Sequence, residues 1–149
     1  MKFFPILIAS FFFFLSMARS QDLSVERKAT IESFIAALFR DNKSQQFIID
    51  NYVYIPQDDI ISLQEKERFI MNTMDALKKK HSNLTSTTGY KIVSYDEFDG
   101  EKKLFSAPAQ DIAILTMQDK PVIYFYFVKD RIYSFTLMEK GKHGYFIVL

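Results

Sequence analysis

The chain has no cysteine, no tryptophan and only two histidines in 149 residues. Without cysteine there is no disulfide, no thiolate nucleophile and no cysteine-based zinc site. His81, after a run of lysines, and His143, in the Gly141–Gly144 turn, have no histidine or carboxylate neighbours at metal-ligand spacing, so no metal is expected. The lack of tryptophan argues against a carbohydrate platform. No nucleophile-elbow pattern and no cofactor motif occurs. Strong charge is also lacking: 19 basic residues face 18 acidic ones. That balance gives no field to draw nucleic acid or anionic lipid to the surface.

Long apolar runs are confined to the N-terminus. Lys2 precedes an almost unbroken apolar stretch from Ile6 to Leu15, and Ala18-Arg19-Ser20 places small residues where a signal peptidase reads. From Phe3 to Ala18 there are 16 positions, interrupted by Pro5, Ser10 and Ser16. A membrane-spanning helix needs about 20 apolar residues. The stretch is therefore expected to be a signal peptide (residues 1–20), cleaved before Gln21. The product would be periplasmic or extracellular, with no stable membrane insertion after cleavage. Losing Lys2 and Arg19 lowers the basic count to 17 against 18, a mature net charge of about −1. Residues 21–149 are the size of one domain with one core.

Within that domain, helical periodicity gives way to strand periodicity. Ile31, Phe34, Ile35, Leu38 and Phe39 make one stripe of a helix over 24–40. A short helix is expected over 44–50, then a brief strand YVYI (52–55) closed by Pro56. Ser62 and Glu65 have capping-box spacing at the start of a third helix, with Leu63, Ile70, Met74 and Leu77 on its buried face. Lys78, Lys79, Lys80 and His81 end it, where positive charge suits the helix dipole. Strands are expected over 90–98, 111–118, 121–128, 131–138 and 145–149.

The stretch PVIYFYFV (121–128) is apolar or aromatic on both faces, whereas a half-solvated strand alternates. Two-residue turns at Asp119-Lys120 and Lys129-Asp130 would set Val122, Tyr124 and Tyr126 on one face, opposite Met117, Leu115 and Ala113 on one side and Leu137, Phe135 and Tyr133 on the other. That face is assigned to the helices. The second face would carry Ile114, Ile123, Phe125 and Phe127, with Ser134 and Thr136 beside them. Leaving these wet would forfeit several kcal/mol, so a second copy of the chain is expected to cover them as a homodimer.

The order helix, short helix, short strand, long helix and antiparallel strands resembles the nuclear-transport-factor-2-like (cystatin-like, cone-shaped) superfamily. The likeness lies in element order over residues 21–149 and in FRDNKSQQFIIDNYVYI (39–55) and FVKDRIYSF (127–135). It implies an α+β fold with N-terminal helices packed on a curved, cone-like antiparallel sheet, pairing through the outer face and a pocket inside. That superfamily hosts many functions, so fold alone licenses none.

The expected function is a non-enzymatic ligand- or protein-binding module, with no cofactor. Tyr52, Tyr54, Tyr124, Tyr126 and Tyr133 are the candidates for lining a ligand cavity, although aromatic core explains them as well. No catalytic residue is assigned. The alternative is an isomerase- or hydrolase-like enzyme using Asp59 with tyrosine hydroxyls, which requires a deep pocket where a carboxylate meets those hydroxyls. A third reading is an inhibitor-like module that pairs an open edge strand with its target.

Overall fold

The fold, a computed structural model, describes residues 23–58, 60–85 and 89–148. The expected signal segment and its cleavage point lie outside the described residues. Helix α1 (Val25–Ile35) starts at Ser24, whose hydroxyl accepts from the Arg27 backbone N–H, and runs into a π-helical turn, Ala36–Arg40. The stripe Ile31, Phe34, Ile35, Leu38 and Phe39 is buried throughout. Helix α2 (Gln45–Tyr52) is capped by the Ser44 hydroxyl. Because α2 continues to Tyr52, the expected strand shrinks to a single bridge between Val53 and Ile132, with Tyr54 N–H donating to the Ile132 carbonyl at 2.8 Å. Helix α3 (Leu63–Lys80) begins with the expected capping box of Ser62 and Glu65.

Four antiparallel strands follow: β1 (Tyr90–Ser94), β2 (Ile112–Met117), β3 (Lys120–Val128) and β4 (Arg131–Ser134), ordered β1-β2-β3-β4. A separate hairpin of β5 (Leu137–Lys140) and β6 (His143–Phe146) completes an α+β fold. Helix α1 packs on β4. Arg27 fastens the helix to the sheet end, donating to the Gln110 carbonyl at 2.7 Å and the Lys129 carbonyl at 3.1 Å. Its guanidinium also pairs with Asp111 at 3.1 Å and lies 5.2 Å from the centre of the Phe127 ring.

The register exchanges the two faces expected for β3 from Ile123 to Phe127, while Ala113, Leu115 and Met117 of β2, with Phe135, keep the expected side toward the helices. The β2–β3 turn is Gln118-Asp119, one residue earlier than expected, and both take positive φ, +50° and +56°. Thr116 pairs with Pro121 while Leu115 pairs with Ile123, so Val122 is an extra, bulged residue. The bulge brings Val122 and Ile123 to the same side, together with Phe125 and Phe127, facing the helices. Tyr124 and Tyr126 face outward with Ile112 and Ile114. A slip of one residue exchanges the two faces of a strand, and that is the correction here.

The chain covers its own outer face. Phe105, from the segment between β1 and β2, stacks on Phe146 of β6 at 4.7 Å, and Phe146 lies against Tyr126 at 5.2 Å. Gly144 makes this cover possible: a Cβ there would sit 2.5 Å from the Phe105 ring. The cover requires the hairpin to leave the sheet, so the expected strand 131–138 divides at Phe135-Thr136. Ser134 holds that break. Its hydroxyl donates to the Ile147 carbonyl at 2.7 Å and accepts from the Thr136 N–H at 3.3 Å. The Thr136 carbonyl accepts from Ile147 N–H at 3.0 Å.

Two stability changes follow from these local devices. Replacing Asp119 by Gly removes a left-handed strain worth roughly 1 kcal/mol, at the cost of an exposed ion pair with Lys91 of little value. Thermal unfolding of Asp119→Gly should therefore come about 4 °C higher. Ser134→Ala removes the partner of the Thr136 N–H and the Ile147 carbonyl and should lose about 1 kcal/mol in urea titrations. An unchanged midpoint would mean that the break does not depend on this hydroxyl.

Candidate functional site

The break in the sheet opens a groove of about 1330 Å³. Three parts of the chain wall it. The C-terminal half of α3, with Ala76 and Leu77, forms one side; the loop Glu101–Leu104 forms the other; Phe135 to Leu137 and the hairpin close its end. Its floor is the first half of β3, Lys120 to Tyr124. Helix α3 reaches this place because its last turn is tied to the sheet: Asn83, just after it, donates to the Met117 sulfur at 3.6 Å. Loop Glu101–Leu104 is held by Tyr124, whose hydroxyl accepts from Lys103 N–H at 3.1 Å, and by Tyr95, whose hydroxyl donates to the Lys103 carbonyl at 2.7 Å.

The groove's edge chemistry is unusual for the interior of a sheet. Strand β4 pairs with β3 only from Tyr126 to Val128. Backbone groups of an antiparallel strand point alternately to its two neighbours. Since Tyr126 and Val128 turn toward β4, Tyr124 turns the same way, but the Thr136 backbone that would meet it is bound to Ser134 and Ile147 instead. At the other sheet margins, β4 is met by Tyr54 through its bond to Ile132, and β1 carries Lys91.

Charge at the groove is uneven. Lys103 pairs with Glu139 at 2.9 Å, and Asp119 pairs with Lys91 at 3.4 Å. Among the described residues the ammonium of Lys102 donates to neutral groups, the carbonyls of Tyr95 and Phe98 at 2.6 and 3.0 Å, and has no carboxylate partner. Among the described residues, Lys80, Lys120 and Lys142 have no carboxylate partner, and Glu101 no cationic one. Hence four uncompensated cations surround one uncompensated carboxylate. Sequence-wide neutrality conceals this local excess.

The tyrosines expected to share a cavity are dispersed. Tyr52 packs edge-on to Phe47 at 6.2 Å, Tyr126 joins the outer stack, and Tyr124 lies buried with its hydroxyl on Lys103. Tyr133 meets two of the others, Tyr54 edge-on at 5.5 Å and Tyr126 at 5.7 Å, and Tyr54 and Tyr133 lie beside a cavity of about 20 Å³. That is the volume of roughly one water, too small for a substrate. Burial raises the Tyr133 hydroxyl above the ordinary tyrosine range, helped by Tyr126, Tyr54 and the Asp58 carboxylate. Asp59, the candidate base, lies outside the described residues.

The residues expected to form a dimer interface are interior and do not share a face. Ile123, Phe125 and Phe127 pack under the helices, Phe125 with no exposed surface, while Ile114 is buried in the outer cluster. Ser134 is buried in the break, and Thr136 lines the groove. Phe105 and Phe146 of the same chain cover the outer face, so the burial of these residues needs no second copy.

Lys66 escaped the sequence reading. It is 1 % exposed, whereas Leu63, expected on the buried face of α3, is 61 % exposed. The signal was present: Lys66, Ile70 and Met74 recur at intervals of four, on one helical stripe. Its ammonium donates to Asp58 Oδ1 and the Pro56 carbonyl, both at 2.9 Å, and so fastens the segment before α3. This bond holds the Asp58 carboxyl below its ordinary range. His81 also departs from expectation: burial, with Lys80 next to it, pushes its imidazole below the usual value, so charge there is disfavoured despite the helix dipole.

Among the described residues no group of three metal-ligating side chains occurs, and no helix is long and apolar enough to cross a membrane. Comparisons of the chain with family models, curated proteins and solved structures gave no match.

The Asp58–Lys66 pair sets a pH dependence. A carboxyl whose folded pKa is depressed adds stability above its unfolded value, near 3.8, and that stability is lost as pH falls through the depressed value. Asp58→Asn should unfold at lower urea than the wild type at neutral pH, because a buried ammonium loses its counter-charge. Its midpoint should then fall less between about pH 5 and pH 3. Parallel curves for the two proteins would show that the pair does not control acid stability.

Proposed function

We propose that the chain is an exported, non-enzymatic binding module whose site is the groove between α3, the Glu101–Leu104 loop and the hairpin. One observation carries this reading: an open trough with an apolar floor, Leu77, Val122, Ile123 and Phe135, under a lysine-rich rim. Apolar floors with a few placed polar groups are the usual form of ligand sites. The catalytic alternative lacks comparable support, since the cavity beside Tyr54 and Tyr133, where the Asp58 carboxylate acts on the Tyr133 hydroxyl, has no room for a substrate. The element order that resembles the cone-shaped superfamily is compatible with such a trough, formed between helix and sheet.

The anionic dye anilinonaphthalene sulfonate tests the site, being apolar with one negative charge. Wild-type protein should enhance its fluorescence saturably. Ala76, exposed on the groove wall, can be enlarged without touching the core. Ala76→Trp should weaken dye binding by roughly tenfold, the equivalent of about 1.4 kcal/mol, with the melting temperature unchanged. Equal binding by both proteins, or none by either, removes the groove as the site.

A further inference from the structure

We infer that the groove takes an extended acidic peptide, which adds to β3 as a short strand at Tyr124. This rests on the groove being the binding site and names its partner. Three independent features point the same way. First, the floor of the groove is a strand edge. Regular alternation directs the Tyr124 N–H and C=O away from β2, and the chain segment that would pair there has been turned aside by Ser134. An extended peptide supplies the missing donor and acceptor, which is how strand addition gains affinity.

Second, the walls suit a strand. Side chains of an added strand alternate between its two faces. On one face they meet α3 at Ala76 and Leu77; on the other they meet the loop Glu101–Leu104, because Ile123 and Tyr124 point to opposite sides of β3. A flat ligand would use one wall only. Third, the charge is complementary. Lys80 and Lys120 flank the groove at the α3 terminus and the β2–β3 turn, while Lys102 and Lys142 stand on the loop and the hairpin turn. Four uncompensated cations around one carboxylate select acidic side chains on the peptide and disfavour basic ones.

The pairing is short. Pro121 has no N–H to give, and the Val122 bulge distorts the edge beside it. Tyr124 is therefore the central backbone contact, and lysines at the rim supply the remaining selectivity.

The test uses the whole chain, nitrogen-15 labelled, with a short blocked peptide of alternating glutamate and valine as probe. Expected results are a shift and slowed hydrogen exchange of the Tyr124 amide, and at least tenfold weaker binding when alternate peptide nitrogens are methylated. The double variant Lys120→Glu with Lys142→Glu should weaken binding by a similar factor, and a lysine–valine peptide should not bind. The inference is overturned if methylation changes nothing, if the basic peptide binds equally, or if the Tyr124 amide is unmoved. It is also overturned if decanoate displaces the dye while the acidic peptide does not. In each of these cases retained dye binding, still weakened by Ala76→Trp, leaves the groove reading standing; loss of dye binding removes both.

Discussion

One chain must cover both faces of β3, and that constraint shapes everything after residue 98. Ile123, Phe125 and Phe127 turn to the helices, while Tyr124 and Tyr126 turn outward with Ile112 and Ile114. Burying a large apolar side chain is worth roughly 1.5–3 kcal/mol, and a domain's whole stability is about 5–15 kcal/mol. Neither face can be left to water. Helices shield the first. Phe105 and Phe146 shield the second, and Phe146 arrives only because the hairpin has left the sheet. Cover on the outer face and an open edge on β3 are thus two results of one break at Phe135-Thr136.

The break needs its own chemistry. A strand that turns away abandons backbone hydrogen bonds, and buried groups without partners are expensive. Ser134 compensates locally. It accepts from Thr136 and donates to Ile147, so that the departing chain stays bonded and the end of the hairpin is drawn under the sheet. Valine or isoleucine would favour a strand there equally well but would provide no such bonds. The cost falls on Tyr124, on the partner strand.

Helices were largely legible in the sequence because their signals are local. The stripe from Ile31 to Phe39 and the Ser62–Glu65 box depend on spacings of three and four, which the helix itself enforces. The strands were legible as segments but not as faces. A single bulged residue, Val122, and a turn one place earlier, at Gln118-Asp119, exchanged the helix-facing and outward sets of β3, whereas β2 kept its expected faces. Neither leaves a mark in composition: the turn lacks glycine, and PVIYFYFV is equally apolar in both phases. The groove was hidden for another reason. It arises from a break within RIYSFTLM (131–138), whose cause is a bond from Ser134 to Ile147, 13 residues on. Lys66, by contrast, stands in plain view on the α3 stripe, four residues before Ile70 and eight before Met74.

An open edge inside a folded domain invites indiscriminate pairing, and β3 has features that oppose it. Pro121 removes a donor, the bulge interrupts the regular ladder, and Lys120 places charge at the strand's start. Two copies of the edge approaching each other would bring lysines together with little backbone to pair. Like charges repel in such an approach, whereas an acidic segment gains where a second copy loses. The same residues that keep the edge from self-association therefore narrow what it accepts. Walled by α3 on one side and the Glu101–Leu104 loop on the other, the slot encloses both faces of an added strand.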